Sequence, residues 1–600
     1  MSSVQSNIGF ESAGSLCYHS EDVANGACEN SVVIYDNRSQ QWLLFQRPLQ
    51  LQVAYTPESV AIALSEVEYQ VHVNGLYAAG FVSYEAAPAF DPAFTVHSPG
   101  TFPLLWFGLY REPEYISFPS SQHDLPDIPW EPSVTEDEYQ QSIGRIKDYI
   151  GAGDTYQVNY TFRLRAPFFG DPWKLFVRMI HAQGYGYGAF VNAGDWTVCS
   201  ASPELFFTVD GDAVISKPMK GTAARGLTQA SDLEQASWLA NSEKNRAENL
   251  MIVDMVRNDM GRIANIGSVE VPGLFNVEKY PTLWQMTSTV RCRTQASIAD
   301  IFRSLFPAAS IAGAPKVRTM QIISELESAP RRVYTGTVGF LSPERKAQFN
   351  VAIRTVVVDR TSNTAEYGVG GGIVWDSETG DEFEECYTKA RVLTQTTPDF
   401  ALLETILWTP QDGYFLLDAH LSRLADSADY FSRPIDIEAI REKLNALSRE
   451  LPPHPHKIRL LVPGDGEPVV ESQMLSSLSR PYRIKLADPP VDSKNHFLYH
   501  KTTHRNIYEK ALADAPGYDD VLLWNEKGEI TESCIANVIV EMEGQLLTPP
   551  VQCGLLAGIY RAFLLEQGKV RERSIDVEDL HRCSRIYLAN SVRGMWEVSF

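Results

Sequence analysis

A lysine and a glutamate near position 210 have the types and spacing of residues that do chemistry. Lys220 lies in the segment KPMKGTAARG (217–226), sixteen residues after Glu204. Cationic groups in such a segment can hold a small polyanion, and its glycines let the backbone approach a ligand closely. Taken alone, these residues more often indicate a solvated basic loop after a strand and a turn glutamate before the next strand.

Three further carboxylates lie on predicted helices. Glu248 is in the segment 246–259, while Glu382, Glu385 and Lys389 share one face of a later helix at i, i+3 and i+7 spacing. Glu385 and Lys389 can simply form a surface ion pair, worth about 0.2–0.5 kcal/mol. Alternatively, the carboxylates indicate a site for a hard cation, because Mg²⁺ takes one or two carboxylates and completes its shell with water and ligand oxygens.

The last 200 residues contain a second group of polar motifs. They include DAHLSRL (418–424), HKTTHR (500–505), GEITESCIAN (528–537), a loop ending at Gly558, and NSVRG (590–594). Each motif by itself predicts only a capped helix, a polar turn or a glycine loop.

The elements that must position these residues predict an α+β fold. Strands are predicted at 31–35, 42–45, 205–209 and 349–358, and the pattern before Pro113 is strand-like throughout. Helices are predicted at 231–260, 297–306 and 314–326, with another that begins at Thr135. The inward face of the 246–259 segment is predicted to hold Leu250, Val253, Met255 and Val256.

Length and composition restrict the class of protein. A chain of 600 residues is expected to form two to four domains. Its net charge of −23 argues against nucleic acid or an anionic membrane as partner, and no apolar run is long enough to span a bilayer. The N-terminus lacks the features of a secretory signal. Eight cysteines without metal-ligand spacing are expected to be mostly buried thiols, so a cytoplasmic location is expected.

The first set of motifs resembles the chorismate-utilising enzymes. SPELFF, KPMKGTAARG, ENLMIVDMVRNDMGRI, ASIAGAPKVRTMQII, RRVYTGTVGF, YGVGGGIV and EFEECYTKA follow one another in the order seen in that family. The family includes anthranilate synthase component I, isochorismate synthases and aminodeoxychorismate synthase component I. The resemblance covers about 133–393 and implies a large α/β sandwich. Residues 1–132 are then the N-terminal part of the same domain, and 394–399 (TQTTPD) are a linker.

This resemblance implies roles for individual residues. Lysine at position 220 is typical of the aminodeoxychorismate synthases, whereas anthranilate synthases carry alanine there. Lys220 is expected to attack C2 of chorismate as a neutral amine while Glu204, as general acid, protonates the departing C4 hydroxyl. Mg²⁺ is expected at Glu248, Glu382 and Glu385. The expected substrate contacts are Thr222, Tyr334, Arg354, Gly370, Gly372 and Lys389.

Two positions depart from the family pattern. Gln285 stands where the family often has histidine, so no imidazole role can be expected there. Ala312 stands where threonine is common, which removes a hydroxyl without an evident consequence.

The second set of motifs resembles the fold-type IV pyridoxal-phosphate (PLP) enzymes, which include aminodeoxychorismate lyase, branched-chain aminotransferase and D-amino acid aminotransferase. Residues 400–600 are therefore expected to form a smaller α/β domain of two subdomains. Lys501 matches the lysine that holds the cofactor, and Glu532 matches the partner of its ring nitrogen. The expected phosphate ligands are Arg423, Gly558, Ile559, Asn590 and Ser591, with the helix after Gly558 presenting its N-terminus. Thr405 matches a threonine that assists proton transfer.

Together these resemblances predict a two-step synthesis of 4-aminobenzoate from chorismate by way of 4-amino-4-deoxychorismate. An anthranilate synthase-like first domain, an aminotransferase-like second domain and a non-catalytic binding protein are the alternatives. No cysteine lies in a Gly-x-Cys-x-Gly setting, so ammonia is expected from a separate glutamine amidotransferase subunit. Dimerisation through the PLP domain is a further possibility.

Overall fold

The computed structural model describes residues 28–119, 125–394, 398–478 and 481–600. The chain forms two compact units, one of Met1–Ala224 with Trp238–Thr397 and one of Arg225–Ser237 with Pro398–Phe600. The first 27 residues and half of the predicted linker (395–397 of 394–399) lie outside the described residues. Within those ranges, no helix is both long and apolar enough to cross a bilayer.

Two antiparallel sheets form the first unit, each with ten strands within the described ranges. In spatial order the first sheet contains Gly313–Ala314, Gln157–Pro167, Thr364–Ile373, Thr355–Asp359, Trp196–Ser200, Ala189–Asn192, Ser31–Asp36, Gln41–Phe45 and Glu114–Ile116, with Glu131–Pro132 beside Gln157–Pro167. The second contains Met219–Ala224, Leu283–Arg293, Ala213–Lys217, Leu205–Asp210, Lys346–Asn350, Thr337–Ser342, Tyr77–Val82, Leu105–Tyr110 and Gln50–Ala54, with Glu270–Lys279 beside Leu283–Arg293.

The two sheets pack face to face through a common apolar core. Phe45 of the first sheet and Phe340 of the second, for example, have ring centroids 6.0 Å apart. Helices cover the outer faces of the sheets, so the unit is a sandwich of helices, two sheets and helices. The helices of this unit are Pro57–Asn74, Glu136–Gly151, Pro172–Gln183, Glu243–Gly261, Ile298–Leu305, Lys316–Leu326 and Thr379–Ala390. Most of a further helix, Gln229–Asn241, belongs to the second unit. The predicted α+β class is confirmed.

Locally specified elements agree with the sequence predictions. Thr135 caps the helix Glu136–Gly151, and its hydroxyl and the Glu138 carboxylate form the reciprocal bonds of a capping box. The strands predicted at 31–35, 42–45 and 205–209 are present, as are the helices at 297–306 and 314–326. Of the seven cysteines in the described part of the chain, five are buried, as expected.

Before Pro113 the strand-like interpretation was incomplete, because residues Pro57–Asn74 form a helix. Its buried residues recur at helical spacing and are Val60, Ala63, Leu64, Val67 and Val71. Thr56 precedes the helix, Pro57 occupies its first turn, and Gly75 ends it with a positive φ of 66°. These are ordinary start and stop signals for a helix.

The helix predicted at 231–260 is wrong in its continuity. It is two helices, Gln229–Asn241 and Glu243–Gly261, and the Ser242 hydroxyl accepts a bond from the Asn245 amide at the start of the second. Val253 and Val256 are buried as predicted, and Met255 is partly buried, but Leu250 is 44% exposed. A serine that can cap a new helix outweighed the continuing helical pattern.

The single strand predicted at 349–358 is also two elements. Lys346–Asn350 belongs to the second sheet and Thr355–Asp359 to the first, so the chain crosses between the sheets at 351–354. Arg354 has a φ of 50° at this crossing. Apolar runs do not reveal where a chain changes sheets.

The basic segment 217–226 is not a solvated loop, because Met219–Ala224 is a strand paired with Leu283–Arg293.

The second unit contains a four-stranded and an eight-stranded sheet within the described ranges. The smaller sheet contains Gly413–Tyr414, Leu402–Thr409, His456–Val462 and Val469–Met474. The larger contains Ile484–Leu486, Asp520–Trp524, Ile530–Ser533, Asn537–Met542, Gln545–Thr548 and Arg571–Glu572, joined by Arg585–Asn590 and Gly594–Val598. The helices are Leu417–Tyr430, Ile437–Ser448, Asn506–Ala513 and Ile559–Glu566. The two sheets have separate apolar cores, which agrees with the predicted pair of subdomains.

Candidate active sites

A cavity of about 870 Å³ in the first unit brings together residues that are far apart in sequence. All of the residues predicted for the first reaction line it, namely Glu204, Lys220, Thr222, Glu248, Tyr334, Arg354, Gly370, Gly372, Glu382, Glu385 and Lys389. The volume suits a small-molecule ligand.

Lys220 is held by the strand Met219–Ala224. The Asn249 side-chain amide donates to its carbonyl at 3.3 Å, and the Gln285 amide donates to the next carbonyl, of Gly221, at 2.8 Å. Thr222 donates its hydroxyl to the Gln285 carbonyl oxygen at 3.2 Å. Gln285 therefore holds the two residues that follow Lys220, which gives a structural role to the position where the family often has histidine.

The Lys220 amine lies against the backbone of Gly372. A β-carbon on Gly372 would clash with both Lys220 Nζ and Gln157 Nε2, so a glycine is required for this approach. Gln157 is fully buried, and neither polar atom of its amide has a hydrogen-bond partner among the residues that the structure describes. Buried amides are rarely left unpaired. Gln157 was missed by the sequence analysis, since nothing in its spacing indicates proximity to Lys220.

Glu204 is a buried carboxylate, only 3% exposed. Burial raises its pKa to about 7, although a bond from the Ser310 hydroxyl at 2.6 Å and the charge of Lys220 act in the opposite direction. The side chain can therefore carry a proton near neutral pH, as a general acid must. Ser310 lies in a motif that the sequence analysis quoted, but its contact with Glu204 became evident only in the structure.

The three carboxylates predicted to bind Mg²⁺ line one side of the cavity. Glu382 accepts a bond from Ser377 at 2.6 Å, and burial raises its pKa. Lys389 lies 3.0 Å from Glu385 and lowers the pKa of that carboxyl. Within the described ranges, no three His, Cys, Asp or Glu side chains can hold a metal by themselves. Hard oxygen donors that leave coordination positions open fit Mg²⁺ completed by substrate and water.

Cationic and hydroxyl groups that line the same cavity can contact a substrate carboxylate. Arg354 is 9% exposed, burial lowers its pKa, and no ion pair to it is found among the described residues. Tyr334 lies against Gly368, where a β-carbon would clash with its ring, and the Arg163 guanidinium lies 5.4 Å from the ring centroid. Lys389 also donates to the Gly370 carbonyl at 2.9 Å.

A second cavity, of about 360 Å³, lies in the second unit. It is lined by every residue predicted for the second reaction, namely Thr405, Arg423, Lys501, Glu532, Gly558, Ile559, Asn590 and Ser591.

Glu532 is a buried ionisable group, and Lys501 is partly buried. Burial, together with the nearby charge of Arg423, lowers the pKa of Lys501 to about 8. Burial raises the pKa of Glu532 to about 7, against a bond from the Tyr508 hydroxyl at 2.7 Å. Neutral lysine amine is therefore accessible near physiological pH, and Glu532 has one carboxylate oxygen oriented by Tyr508. These features fit a lysine and a carboxyl that face a PLP ring.

Arg423 is held in place by a buried carboxylate that the sequence analysis did not identify. Glu404, 1% exposed, accepts from Arg423 Nε at 2.8 Å and Nη2 at 2.7 Å, and lies 2.7 Å from His420 Nδ1. Although burial opposes its charge, Arg423 and His420 lower the pKa of Glu404 to about 2. Arg423 also donates to the Ala557 carbonyl, which joins it to the loop before Gly558.

The expected phosphate side is formed by a helix start and a turn. The helix Ile559–Glu566 begins after Gly558, where a β-carbon would clash with the Asn537 side chain. Asn590 accepts bonds from the amides of Val592 and Arg593 at 3.1 and 2.9 Å, and Ser591 donates to the Thr405 carbonyl at 3.4 Å. Backbone amides at such positions fit a phosphate.

The lining of the second cavity is strongly cationic. Besides Arg423 and Lys501, its basic residues are Lys457, Arg459, Arg505 and Arg593. They come from separate elements, so their convergence could not be read from the sequence.

Comparisons with known proteins agree with this division. Residues 29–395 match the family described as chorismate binding enzyme, and residues 401–599 match amino-transferase class IV. Aminodeoxychorismate synthase component 1 of Salmonella typhimurium is 41% identical over 262 residues, covering 43% of this chain and 57% of that protein. The Bacillus subtilis protein of the same name is 37% identical over 258 residues, covering 43% and 54%. The chain thus spans little more than half the length of these relatives.

The fold of the first unit is shared with a solved structure. It is the menaquinone-specific isochorismate synthase of Escherichia coli, with 17% sequence identity and a TM-score of 0.50. The superposition covers 62% of this chain and 90% of that protein. At that identity the likeness concerns the fold alone. Because the first family match spans more than half of the 600 residues, the chain belongs to the chorismate binding enzymes.

Proposed function

We propose that the first unit converts chorismate and ammonia into 4-amino-4-deoxychorismate, and that the second unit converts this product into 4-aminobenzoate and pyruvate. The observation that carries the proposal is the presence of Lys220 beside buried Glu204 in one cavity and of Lys501 beside Glu532 in the other. The relatives named aminodeoxychorismate synthase component 1 support the first activity.

In the proposed first step, the Lys220 amine forms a bond to C2 of chorismate as the bond from C4 to its hydroxyl breaks. Glu204 gives its proton to that hydroxyl, which leaves as water. Ammonia then bonds to C4 and the bond between Lys220 and C2 breaks, which restores the lysine. A carboxyl with a pKa near 7 is suited to donate a proton at neutral pH.

Magnesium would be held by Glu248, Glu382 and Glu385, together with oxygens of the substrate and water. Bound there, it would supply positive charge for a substrate carboxylate. Arg354, Tyr334 and Lys389 would orient the substrate, since they line the same cavity.

In the second unit, Lys501 and Glu532 would face the PLP ring while Arg423, Gly558, Ile559, Asn590 and Ser591 hold its phosphate. When bound, PLP supplies an electron sink for the carbon that loses a proton. Lys501 would take the proton from C4 of 4-amino-4-deoxychorismate, and pyruvate would leave from C3 as the ring becomes aromatic. Thr405 lines the same cavity and would assist that proton transfer.

Two alternatives are disfavoured by specific residues. An anthranilate synthase-like first unit is opposed by Lys220, where those enzymes resemble this chain but have alanine. An aminotransferase for branched-chain substrates is opposed by the cationic lining of the second cavity, because such substrates carry one carboxylate. Four basic residues in addition to Arg423 and Lys501 suit a substrate with two carboxylates, as 4-amino-4-deoxychorismate has.

The proposal is tested by supplying purified full-length protein with chorismate, Mg²⁺, PLP and ammonium chloride at alkaline pH. We expect 4-aminobenzoate and pyruvate in equal amounts. Anthranilate as the product would overturn the first assignment. Accumulation of 4-amino-4-deoxychorismate with PLP bound, together with keto acid formed from D- or branched-chain amino acids, would overturn the second.

We also propose that a separate glutamine amidotransferase subunit supplies ammonia. Glutamine alone is then expected to support little product, and adding a partner amidotransferase should restore the rate. Efficient turnover on glutamine by the chain alone would contradict this.

Dimerisation through the second unit is tested by light scattering of the PLP-loaded protein.

A further inference from the structure

A short segment of the chain packs within the second unit although it follows the strand that carries Lys220. Residues Arg225–Ser237 come directly after Met219–Ala224 in sequence, yet they belong to the second compact unit. Within that unit they contact the end of the helix Leu417–Tyr430.

The beginning of this segment is closed on itself by a buried ion pair. Arg225 Nε and Nη2 donate to the two carboxylate oxygens of Asp232 at 2.7 and 2.8 Å, and the two side chains are 8% and 0% exposed. The Gly226 amide also donates to Asp232 at 2.8 Å, and a β-carbon on Gly226 would clash with the Asp232 backbone. A bidentate pair of this kind fixes geometry as well as charge.

Tyr430 receives the closed segment through three contacts. Arg225 Nη2 donates to the Tyr430 carbonyl at 2.7 Å, and its guanidinium lies 4.5 Å from the centroid of the Tyr430 ring. The Tyr430 hydroxyl donates to the Gly226 carbonyl at 2.8 Å. These contacts use both the backbone and the side chain of Tyr430.

From Tyr430 the contacts continue to the residue before Lys501. The rings of Tyr430 and His500 have centroids 4.1 Å apart, and His500 Nδ1 lies 3.0 Å from the Ser427 hydroxyl. Leu227 packs against the apolar cluster that contains Leu498 and Tyr499. His500 is buried, which lowers its pKa to about 3. It is therefore neutral, and its role is to hold position.

We propose that Arg225–Ser237 is a positioning segment for Lys501, acting through Tyr430 and His500. Residues that directly follow the strand carrying Lys220 would thereby support the second reaction. The inference rests on the proposed cofactor role of Lys501. It concerns how firmly the backbone around Lys501 is held in place. A packing element without influence on Lys501 is the competing interpretation, and the experiment separates the two.

The test compares Arg225→Ala with wild type in the full-length protein. Hydrogen exchange of residues 496–502 is measured by mass spectrometry without PLP, and PLP affinity is then measured by titration. The variant is expected to loosen the segment from Tyr430. If only about one tenth of the molecules then keep the segment in place, and only these bind PLP, the apparent PLP affinity falls about tenfold. We also expect faster exchange at 496–502 and a lower kcat on supplied 4-amino-4-deoxychorismate. The rate of the first reaction should be unchanged.

Two further variants make the result interpretable. Tyr430→Phe removes only the hydroxyl that donates to Gly226, so it should reproduce the exchange change in weaker form even if Arg225→Ala folds poorly. Arg257→Ala, which removes an exposed arginine paired with Asp254, should behave as wild type.

Unchanged exchange at 496–502 together with unchanged PLP affinity in both Arg225→Ala and Tyr430→Phe would overturn the inference. An equal decrease in the rates of the first and second reactions would also overturn the inference, because the substitution would then disturb the whole protein and not Lys501 in particular. Failure of the proposed function has a different signature. Wild type itself would then bind no PLP, while hydrogen exchange at 496–502 would still be faster in Arg225→Ala than in wild type.

Discussion

Lys220 and Lys501 line cavities of different electrostatic character. Around Lys220 there are six carboxylates and four other basic residues, the carboxylates being Glu204, Glu248, Asp381, Glu382, Glu384 and Glu385. Around Lys501 there are five other basic residues and one carboxylate, that of Glu532. A carboxylate-rich cavity suits a metal ion and a proton donor, whereas a cationic one suits anionic groups such as phosphate and carboxylates.

The two cavities control protons by different means. Glu204 is buried, so it retains a proton at a pH where an exposed glutamate would not. Lys501 is partly buried near Arg423, so it loses a proton more easily than an exposed lysine does. The first cavity therefore provides an acid, and the second provides a base.

The strongest test of the comparison removes each lysine in turn. Lys220→Ala should reduce the first reaction by roughly 10⁴-fold or more, as loss of a nucleophile does, and spare the second. Lys501→Ala should block release of pyruvate and cause 4-amino-4-deoxychorismate to accumulate from chorismate. Product analysis by chromatography distinguishes the two, with circular dichroism as a check on folding. Near wild-type 4-aminobenzoate formation by either variant would contradict the corresponding role.

The second prediction concerns Glu204. Glu204→Gln should slow the loss of the C4 hydroxyl by about 10²–10⁴-fold. In wild type the acid form prevails below pH 7 and decreases as the pH rises through the pKa of about 7, so the single-turnover rate should fall above pH 7. Ser310→Ala removes a bond that lowers this pKa, so the decline should move to higher pH. A profile that Glu204→Gln leaves unaltered would exclude Glu204 as the acid.

The third prediction separates the cavities by metal. Glu248→Gln, Glu382→Gln and Glu385→Gln should each raise the Mg²⁺ concentration needed for half-maximal first-step activity by at least about tenfold. Glu384→Gln, in the same cavity but outside the proposed metal set, is the matched control. EDTA should leave the second reaction unaffected when 4-amino-4-deoxychorismate is supplied. Metal-independent synthesis in wild type would remove the basis for this site.

The smallest effect is expected from the cationic lining of the second cavity. Arg459→Ala should raise KM for 4-amino-4-deoxychorismate about fivefold, because partly exposed charges contribute about 1 kcal/mol or less. Arg459 is paired with Glu471 at 3.3 Å, and its side chain is 43% exposed. Arg585→Ala, outside the cavity, should change nothing. An unchanged KM in Arg459→Ala would mean that this arginine does not contact the substrate.

Local sequence signals determined many of the elements and candidate residues. The helix that begins at Thr135 was predictable because the capping residues lie within one turn of each other. Lys220, Glu204, Lys501 and Glu532 were identified because each lies in a continuous motif.

Only the tertiary structure decided how distant segments meet. It placed Gln157 beside Lys220, moved the chain between sheets at 351–354, and joined Arg225–Ser237 to the unit that contains Lys501. It also gathered Lys457, Arg459, Arg505 and Arg593 around one cavity. Motifs and caps depend on residues a few positions apart, and a sequence displays those directly. Strand partners and cavity linings depend on packing between residues hundreds of positions apart, which no local pattern records.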